Sequence, residues 1–166
     1  ITETVPSFHS LPRSCTWGRE LSFLRQDSFM TVFQQILWGY ELTHPDSWVH
    51  QSIQDSDGFA ATPAAFDPIY AGPDAGHLLV RGEWNWKRQP IEPLWNHHIA
   101  LLAGMLGAKE VGSTPWKIGQ ASGLEAEIVL PKRDNQRLWT GILMRDFRVL
   151  HFMVTHPRGV REVFEP

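Results

Sequence analysis

Histidine is the residue type in this sequence with the most capacity for chemistry, because eight copies occur among 166 residues. His97 and His98 are adjacent in a predicted helix, where successive side chains point about 100° apart, so only His98 faces the apolar side. His151 lies inside a predicted strand, and His44 and His156 each precede a proline. No two histidines have the i, i+4 spacing by which one helix holds a metal ion. The pattern predicts packing and surface histidines, with no metal site and no cofactor.

The acidic residues and the single cysteine predict no reaction centre. Glu125 and Glu127 point from one face of a predicted strand about 7 Å apart, which is typical of a solvated face and not of paired acids in a cleft. Glu83 stands beside Trp84, and Cys15 has no second cysteine with which to form a disulfide. The motifs Gly-x-Ser-x-Gly, His-Glu-x-x-His, Gly-Lys-Ser/Thr and Gly-x-Gly-x-x-Gly do not occur. We therefore predict that the protein is not an enzyme.

Eight tryptophans are a high number for a chain of this length. Their ordinary role is to fill cores and strands, and their functional role would be an aromatic surface for a ligand or a partner. The residues that we select for such a surface are Trp84, Trp86, Trp95, His98 and Tyr70. One hypothesis makes the protein a small-ligand or metal-binding protein whose long loop, Gly58–Gly76, closes over Trp84, Trp86 and His98.

The charge and hydropathy of the chain restrict its partners. The formal net charge of −3 argues against nucleic acid or an anionic membrane, because both need a basic face. No apolar run has the length of a transmembrane helix, and no signal peptide is visible. The chain begins at Ile1, so we expect a leader or a longer N-terminal region upstream. We expect a soluble protein, cytoplasmic or exported after removal of a leader, that binds an unknown protein partner in an oligomeric state left open.

The stretch Gly123–Pro157 predicts a three-stranded antiparallel meander. Apolar and polar residues alternate over Leu124–Leu130, and a polar turn follows. A second strand runs over Leu138–Met144, and Arg145-Asp146 leaves room only for a hairpin loop. The third strand, Phe147–Val154, is apolar on both faces, so we place it inside a sheet with a layer packed on each side.

The rest of the chain predicts one helix and several shorter strands. Two prolines suit the first turn of a helix over about Leu94–Leu106, and Gly107 suits its end, so this helix is the expected cover of the sheet. Before the helix, the sequence predicts a β-hairpin or irregular extension over Trp17–Phe33, a strand over Ile36–Thr43 and a short strand or helical turn over Val49–Ile53. The loop Gly58–Gly76 follows, with a brief strand near Phe59, and then a strand over His77–Trp86, in which Gly82 marks a bulge or a close backbone approach. After the helix, a short strand is predicted over Trp116–Ile118.

This order of elements predicts an α+β fold, in which a helix covers an antiparallel sheet. We divide the chain into an N-terminal extension, residues 1–35, which is irregular or a β-hairpin, and an α+β domain, residues 36–166.

From Trp38 to His156 the chain resembles the PsbP-like family, named for an extrinsic subunit of the oxygen-evolving photosystem and including its bacterial relatives. The segment Gly39–Trp48, GYELTHPDSW, is similar to the opening strand of the family, which runs to a proline followed by a tryptophan. The predicted helix stands where the family has its central helix, and Gly123–Glu127 is similar to the small-residue segment before the final hairpins. These motifs are structural, and none is catalytic.

The resemblance implies a PsbP-like α/β/α sandwich around an antiparallel sheet, usually finished by a helix after the last strand. The chain ends at Val163–Pro166, where that helix would begin, so we expect the helix to be truncated or absent. One apolar face of the sheet is then either exposed or covered by the N-terminal segment. The leading functional hypothesis is a non-enzymatic binding or accessory module that acts through protein–protein contacts. A further one, implied by the family's namesake, is an extrinsic subunit of a membrane complex.

Overall fold

The computed structural model describes residues 29–67, 69–70, 72, 75–131 and 136–155, with residues 109–111 described by their backbone alone. Within these residues the strands are β1 (Met30–Gln35), β2 (Tyr40–Pro45), β3 (Val49–Ile53), β4 (Ser56–Ala60), β5 (His77–Trp84), β6 (Lys109–Ile118), β7 (Ala121–Leu130), β8 (Gln136–Arg145) and β9 (Arg148–Thr155). The helix α1 runs over Ile91–Leu106, and a 3₁₀ turn runs over Pro63–Phe66. None of the helices in this part of the chain has the length and apolarity needed to cross a membrane.

Seven strands form one antiparallel sheet in the order β3-β4-β5-β9-β8-β7-β6, and β1 and β2 form a separate two-stranded antiparallel sheet. Strand β5 is followed in the chain by α1 and then by β6, which lies at the far edge of the large sheet. The helix therefore connects β5 to that edge past the three strands between them. An antiparallel sheet covered by a helix is the α+β architecture that the sequence predicted, and the fold class is confirmed.

The predicted C-terminal meander is confirmed as β7, β8 and β9. Ile128 pairs with Leu138, and Leu143 pairs with Leu150, so the three strands are in continuous register. The two residues between β8 and β9 form a tight turn, in which Asp146 takes the left-handed conformation at φ 55°. Strand β9 is buried on both faces, as its apolar sequence predicted.

The helix α1 covers one face of the large sheet. Trp95 is buried in a cluster with Ala126, Ile142 and Val149, and Leu102 is buried in a second cluster with Ile128, Leu130 and Leu138. The helix ends as predicted at Gly107, which is left-handed at φ 66° and donates its N–H to the carbonyl of Ala103 at 2.9 Å. The meander thus has the covering layer that its apolar face requires.

The β1–β2 hairpin covers the opposite face. Phe33, Trp38 and Leu42 pack against a buried core that includes Phe59, Val80, Leu143 and Phe152. Strand β1 belongs to the predicted N-terminal extension and β2 to the predicted domain, so the β1–β2 ladder crosses the boundary at residue 35. The division into two units stays a prediction. The expected cover from the N-terminal side is supplied, in the described residues, by this hairpin.

The predicted strand Ile36–Thr43 is wrong in its first half. Residues 36–39 form the turn between β1 and β2, closed by a hydrogen bond of 2.8 Å from the N–H of Gly39 to the carbonyl of Gln35. Apolar residues alternate through this segment as they do in a strand. However, Gly39 adopts φ 67°, a left-handed conformation that reverses the chain and that glycine takes without steric cost. Strand β2 consequently begins at Tyr40.

Several other boundaries differ from the prediction because strand pairing extends or ends them. Strand β5 stops at Trp84 and not at Trp86. Strand β6 begins at Lys109, since its ladder with β7 continues past an irregularity between Glu110 and Ser113. The segment Val49–Ile53 is a strand, and the predicted loop begins with the end of β4. Predictions for residues before 29, and for the C-terminal helix after 155, lie outside the described residues.

Asp57 of β4 joins the two sheets. Its Oδ2 accepts hydrogen bonds from the hydroxyl of Tyr40 at 2.6 Å and from the side-chain amide of Gln35 at 2.9 Å, and its Oδ1 lies 3.0 Å from Nε2 of His50. Burial alone raises the pKa of this carboxyl, but the hydrogen bonds from Gln35, Tyr40 and His50 outweigh burial and lower it. Burial and the adjacent carboxylate together raise the pKa of Tyr40. An ionised acceptor therefore holds the hairpin at neutral pH.

The variant Asp57→Asn is expected to lower the free energy of unfolding by about 2 kcal/mol, because an amide replaces a charged acceptor and leaves one buried donor unpaired. Urea denaturation at neutral pH, followed by tryptophan fluorescence, measures the change. Asp55→Asn removes the same charge from the exposed β3–β4 turn and is expected to change stability by less than about 0.5 kcal/mol. Equal effects from the two variants would contradict a joining role for Asp57.

Candidate functional site

Three segments of the chain meet at one end of the large sheet. Trp84 at the end of β5 pairs with Arg148 at the start of β9, which brings the residues after β5 beside the β8–β9 turn. The N–H of Asn85 donates to the carbonyl of Phe147 at 2.7 Å. The β1–β2 turn reaches the same place, since the ring of Trp38 lies 5.2 Å from that of Trp84.

Gly82 of β5 makes room for Trp38. A Cβ atom at this position would lie 2.0 Å from the Trp38 ring, so a larger residue would displace the indole. The sequence predicted a bulge or a close approach at Gly82. The β5–β9 register passes from Arg81 through Gly82 to Glu83 without a shift, and the glycine is therefore a site of close approach.

A series of aromatic rings runs outward from Trp38. The rings of Trp84 and Trp86 stack with centroids 5.0 Å apart and planes 18° apart, and Trp86 lies 6.4 Å from Phe147. Trp86 is 71% exposed and Phe147 is 36% exposed, and in the adjoining turn Ile36 is 89% exposed. We use the term aromatic surface for Ile36, Leu37, Trp86 and Phe147, with Trp38 and Trp84 beneath them.

The segment that presents Trp86 is fixed by hydrogen bonds to the buried Asn85. The Asn85 amide donates to the carbonyl of Gln89 at 2.8 Å, and its Oδ1 accepts from the Gln89 N–H at 2.9 Å. The N–H of Arg88 donates to the Asn85 carbonyl at 3.0 Å. Because these bonds order the segment in advance, a partner would not have to order it on binding.

Two arginines lie against rings of the aromatic surface. The guanidinium carbon of Arg88 is 4.6 Å from the centroid of Phe147, and that of Arg148 is 5.8 Å from the centroid of Trp84. At these distances a cation is attracted to an aromatic face. Both arginines and Lys87 are exposed. Among the described residues, no carboxylate lies within 4.0 Å of any of these three cations.

A row of polar side chains lies between α1 and the large sheet, on the face of the sheet opposite the β1–β2 hairpin. Nε2 of His98 is 2.7 Å from the hydroxyl of Thr140, which itself donates to the carbonyl of Phe152 at 2.7 Å. His98 therefore donates from Nε2, and its Nδ1 accepts from Nδ1 of His151 at 3.2 Å. Nε2 of His151 lies 3.1 Å from Glu83, but the contact is aligned too poorly for a hydrogen bond.

The protonation states of His98 and Glu83 in this row of polar side chains follow from burial and from neighbouring charges. Burial, together with the positive charges of His151 and Arg81, lowers the pKa of His98 to about 3. Contact with His151 lowers the pKa of Glu83 to about 2 against the opposing effect of burial, and Arg81 adds to the lowering. At neutral pH a neutral His98 thus connects the helix to the sheet, and Glu83 is ionised.

The two arrangements differ in what they can do chemically. The histidine pair connects α1 to β8 and β9, because both ring nitrogens of His98 are hydrogen-bonded, one to Thr140 and the other to Nδ1 of His151. No three histidine, cysteine or acidic side chains converge on a metal position anywhere in the described part of the chain. The aromatic surface consists of exposed rings and aliphatic side chains with arginines beside them, and these groups are suited to binding.

The structure places the five residues selected from the sequence in three locations. Trp84 and Trp86 stack in the aromatic surface. Trp95 and His98 belong to α1 and lie between the helix and the large sheet, with ring centroids 5.9 Å apart. Tyr70 lies in the segment after the 3₁₀ turn, with its ring against Gly72. Their role as a ligand or partner surface stays a prediction, and only the two stacked tryptophans belong to the site described above.

The described part of the loop Gly58–Gly76 packs at the other end of β5. The ring of Phe66 lies 5.4 Å from that of His77, the first residue of the strand. Trp84 is the last residue of the same strand, about 23 Å away at the usual rise of a β-strand. This placement separates the 3₁₀ turn from the tryptophans that the loop was expected to cover.

The sequence contained partial signals for the residues that were missed, namely Ile36, Leu37, Phe147, Arg88 and Arg148. Three consecutive apolar residues precede Gly39, and Phe147 stands in a two-residue turn. Turns normally contain polar and small residues, so large apolar residues in two turns indicate a contact surface. The first turn could be recognised only from the reversal of the chain at Gly39, and the alternating apolar residues around it had predicted a strand instead.

The comparisons with known proteins show the fold. No protein-family model matches the chain, and no curated protein is similar to it in sequence. It is similar to the solution structure of cyanobacterial PsbP (CyanoP) from Synechocystis sp. PCC 6803, with a TM-score of 0.59 and 11% identity over 84% of this chain and 89% of that one. It is also similar to the crystal structure of the Ran-binding protein Mog1p from Saccharomyces cerevisiae, with a TM-score of 0.53 and 8% identity over 82% of each chain. The chain has a PsbP-like fold, as its resemblance to that family implied.

The variant Gly82→Ala is expected to lower the free energy of unfolding by about 2 kcal/mol, because the methyl group would meet the Trp38 ring. Gly104→Ala is the matched control, since nothing lies within 4 Å of its added Cβ on α1. Replacing a helical glycine is expected to raise stability by about 0.5–1 kcal/mol. Urea denaturation measures both. A Gly82→Ala variant with the same free energy of unfolding as the wild type would show that the Trp38 ring does not pack against Gly82.

Acidification is expected to destabilise the folded protein through His98. The pKa of His98 is about 3 in the folded state against 6.5 ordinarily, so the unfolded chain binds the proton first. The stability contributed by neutral His98 is complete above pH 6.5 and is lost as the pH falls towards 3. Between about pH 7.5 and pH 5, the variant His98→Gln should therefore lose about 2 kcal/mol less stability than the wild-type protein.

The matched control for this experiment is His97→Gln, which removes the exposed neighbour of His98. It should follow the pH dependence of the wild-type protein. Urea denaturation at a series of pH values gives the free energies of unfolding for the three proteins. Parallel curves for wild type and His98→Gln would contradict a half-buried His98 that stays neutral in the folded protein.

Proposed function

We propose that the protein is a non-enzymatic accessory module that binds another protein through the aromatic surface. The observation that supports this most directly is the exposure of Ile36, Leu37, Trp86 and Phe147 at one end of the molecule. Large apolar side chains are usually buried, and contiguous exposed ones mark interaction sites. Here they come from separate turns that the fold brings together.

The energetics of the aromatic surface favour protein binding. Burying an exposed large apolar side chain contributes about 1.5–3 kcal/mol, and tryptophan and arginine are enriched among residues that dominate binding energy. Trp86 stacks on Trp84 and follows the hydrogen-bonded Asn85, so little conformational freedom remains to be lost. A small, rigid and partly aromatic patch of this kind is an efficient anchor for a partner.

Binding is supported over catalysis by the positions of the titratable groups. The polar network of Asp57 joins the two sheets, and the pair His98–His151 joins the helix to the large sheet. Both networks therefore have structural roles, and the sequence contains no nucleophile or metal motif that would give either a reaction. A protein of the same fold, Mog1p, is a Ran-binding protein by name, which is consistent with protein binding by this scaffold.

The partner is to be identified by placing a photo-reactive phenylalanine analogue at Leu37 in cells that make the protein. Position Met105, which is 79% exposed on α1, is the control for non-specific crosslinking. The expected result is a discrete crosslinked protein from position 37 that is missing from position 105.

Binding of the identified partner should then depend on Trp86. Trp86→Ala is expected to weaken the affinity about 30-fold, equivalent to about 2 kcal/mol. The fold should remain intact, because the side chain is 71% exposed. Calorimetry with the purified proteins measures the affinity, and Met105→Ala is the control that should bind as the wild type does. Equal affinities for wild type and Trp86→Ala would contradict the proposed function.

A further inference from the structure

The cations at the aromatic surface indicate the chemistry of its partner. Resting on the proposed function, we propose that the surface binds an acidic segment of a partner protein, in which an apolar side chain is flanked by carboxylates. The apolar side chain would pack on Trp86 and the β1–β2 turn. The carboxylates would pair with Arg88 and Arg148.

The two arginines are held in a geometry suited to carboxylates. Arg88 lies over the ring of Phe147 and Arg148 over that of Trp84, which fixes each guanidinium group beside the exposed apolar residues. A guanidinium group stacked on a ring still directs its N–H groups outward in its own plane, where they bind a carboxylate through two parallel hydrogen bonds. Each arginine thus lies next to an aromatic ring of this surface, and no described carboxylate within 4.0 Å competes for either one.

The local charge contrasts with the charge of the whole chain. Residues 85–89 and 145–148 contain four cations, Lys87, Arg88, Arg145 and Arg148, and one carboxylate, Asp146, for a net charge of 4 − 1 = +3. The whole chain has a formal net charge of −3. The carboxylate of Asp146 lies 3.9 Å from Arg145, and among the described residues no carboxylate lies within 4.0 Å of Arg88 or Arg148. These two segments therefore form a locally positive patch beside the aromatic surface, and it would steer an acidic segment.

An acidic protein segment fits these observations better than a nucleic acid does. A nucleic acid needs basic residues along its length, because its phosphates extend beyond a single patch. This chain offers a compact basic patch on a protein of net negative charge. Ile36 and Leu37 are also fully aliphatic, and they match the side chains of a polypeptide better than they match a sugar–phosphate backbone.

The experiment is a selection of twelve-residue random peptides displayed on phage against the wild-type protein, with prior removal of peptides that bind Trp86→Ala. The expected result is a set of peptides that combine an aromatic or aliphatic residue with neighbouring Asp or Glu. Synthetic versions are then measured by fluorescence anisotropy. Arg88→Gln and Arg148→Gln should each weaken binding about tenfold, and Arg88→Lys should weaken it less.

Two controls test whether the arginines act through charge. Arg137→Gln removes an exposed arginine at the other end of β8, which pairs with Glu127 at 3.3 Å, and it should leave binding unchanged. Raising the salt from about 50 mM to about 500 mM should weaken binding by the wild type. The double variant Arg88→Gln/Arg148→Gln should lose most of that salt dependence.

The possible outcomes separate this inference from the proposed function. Neutral or basic peptides that depend on Trp86 would overturn the acidic segment and leave the binding surface supported. The same conclusion would follow from acidic peptides that bind Arg88→Gln and Arg148→Gln as tightly as the wild type. A selection that yields no Trp86-dependent peptide would count against both. Tighter binding of a single-stranded oligoribonucleotide than of any peptide, with loss in Arg88→Gln, would replace the acidic segment with RNA.

Discussion

The buried carboxylate of Asp57 is the polar contact on which the placement of the two sheets depends. In the described residues no backbone ladder joins the β1–β2 hairpin to the seven-stranded sheet, so side chains set its position. Gln35 and Tyr40 from the hairpin and His50 from β3 all meet on this one carboxylate. Apolar packing favours contact without specifying a direction, whereas hydrogen bonds to an ionised acceptor specify one. Asp57 thus orients a hairpin that the core residues hold in contact.

The position of the hairpin in turn creates the aromatic surface. With Tyr40 held on Asp57, the preceding turn lies over β5, and Trp38 enters the space left by Gly82. The ring of Trp38 then lies 5.2 Å from that of Trp84, on which Trp86 stacks, so the turn that carries Ile36 and Leu37 reaches the same end of the sheet. The opposite face has a different character, because α1 covers it and its polar groups, including the neutral His98, are enclosed between helix and sheet. The exposed end therefore carries the surface for which we propose binding, and the covered face contributes to the stability of the fold.

Parts of this architecture were predictable because their signals are local. The meander followed from alternation within single strands and from a two-residue connection, which admits only a hairpin. The prediction placed that connection at Arg145-Asp146, and the structure has it one residue later, at Asp146-Phe147. The helix followed from its apolar stripe and from Gly107, whose left-handed conformation ends it. The inward position of His98 and the exposure of His97 followed from helical geometry alone. The prediction of a strand beginning at Ile36 was wrong for a local reason too, because the alternation of apolar residues continues through the turn that Gly39 makes.

The sequence by itself determined the antiparallel α+β fold, the three final strands and the helix that covers them, since periodicity reports which side chains of one element share a face. Only the tertiary structure decided which face each element covers and which residues meet at its ends. Trp38, Trp84 and Phe147 lie in separate segments, and they meet because β5 pairs with β9 and the hairpin docks across them. The same pairing separated Trp95 and His98 from Trp84 and Trp86, which the sequence had grouped. Contacts between distant segments depend on which strands pair, in which register, and on where the hairpin packs, and local periodicity contains no information about any of these.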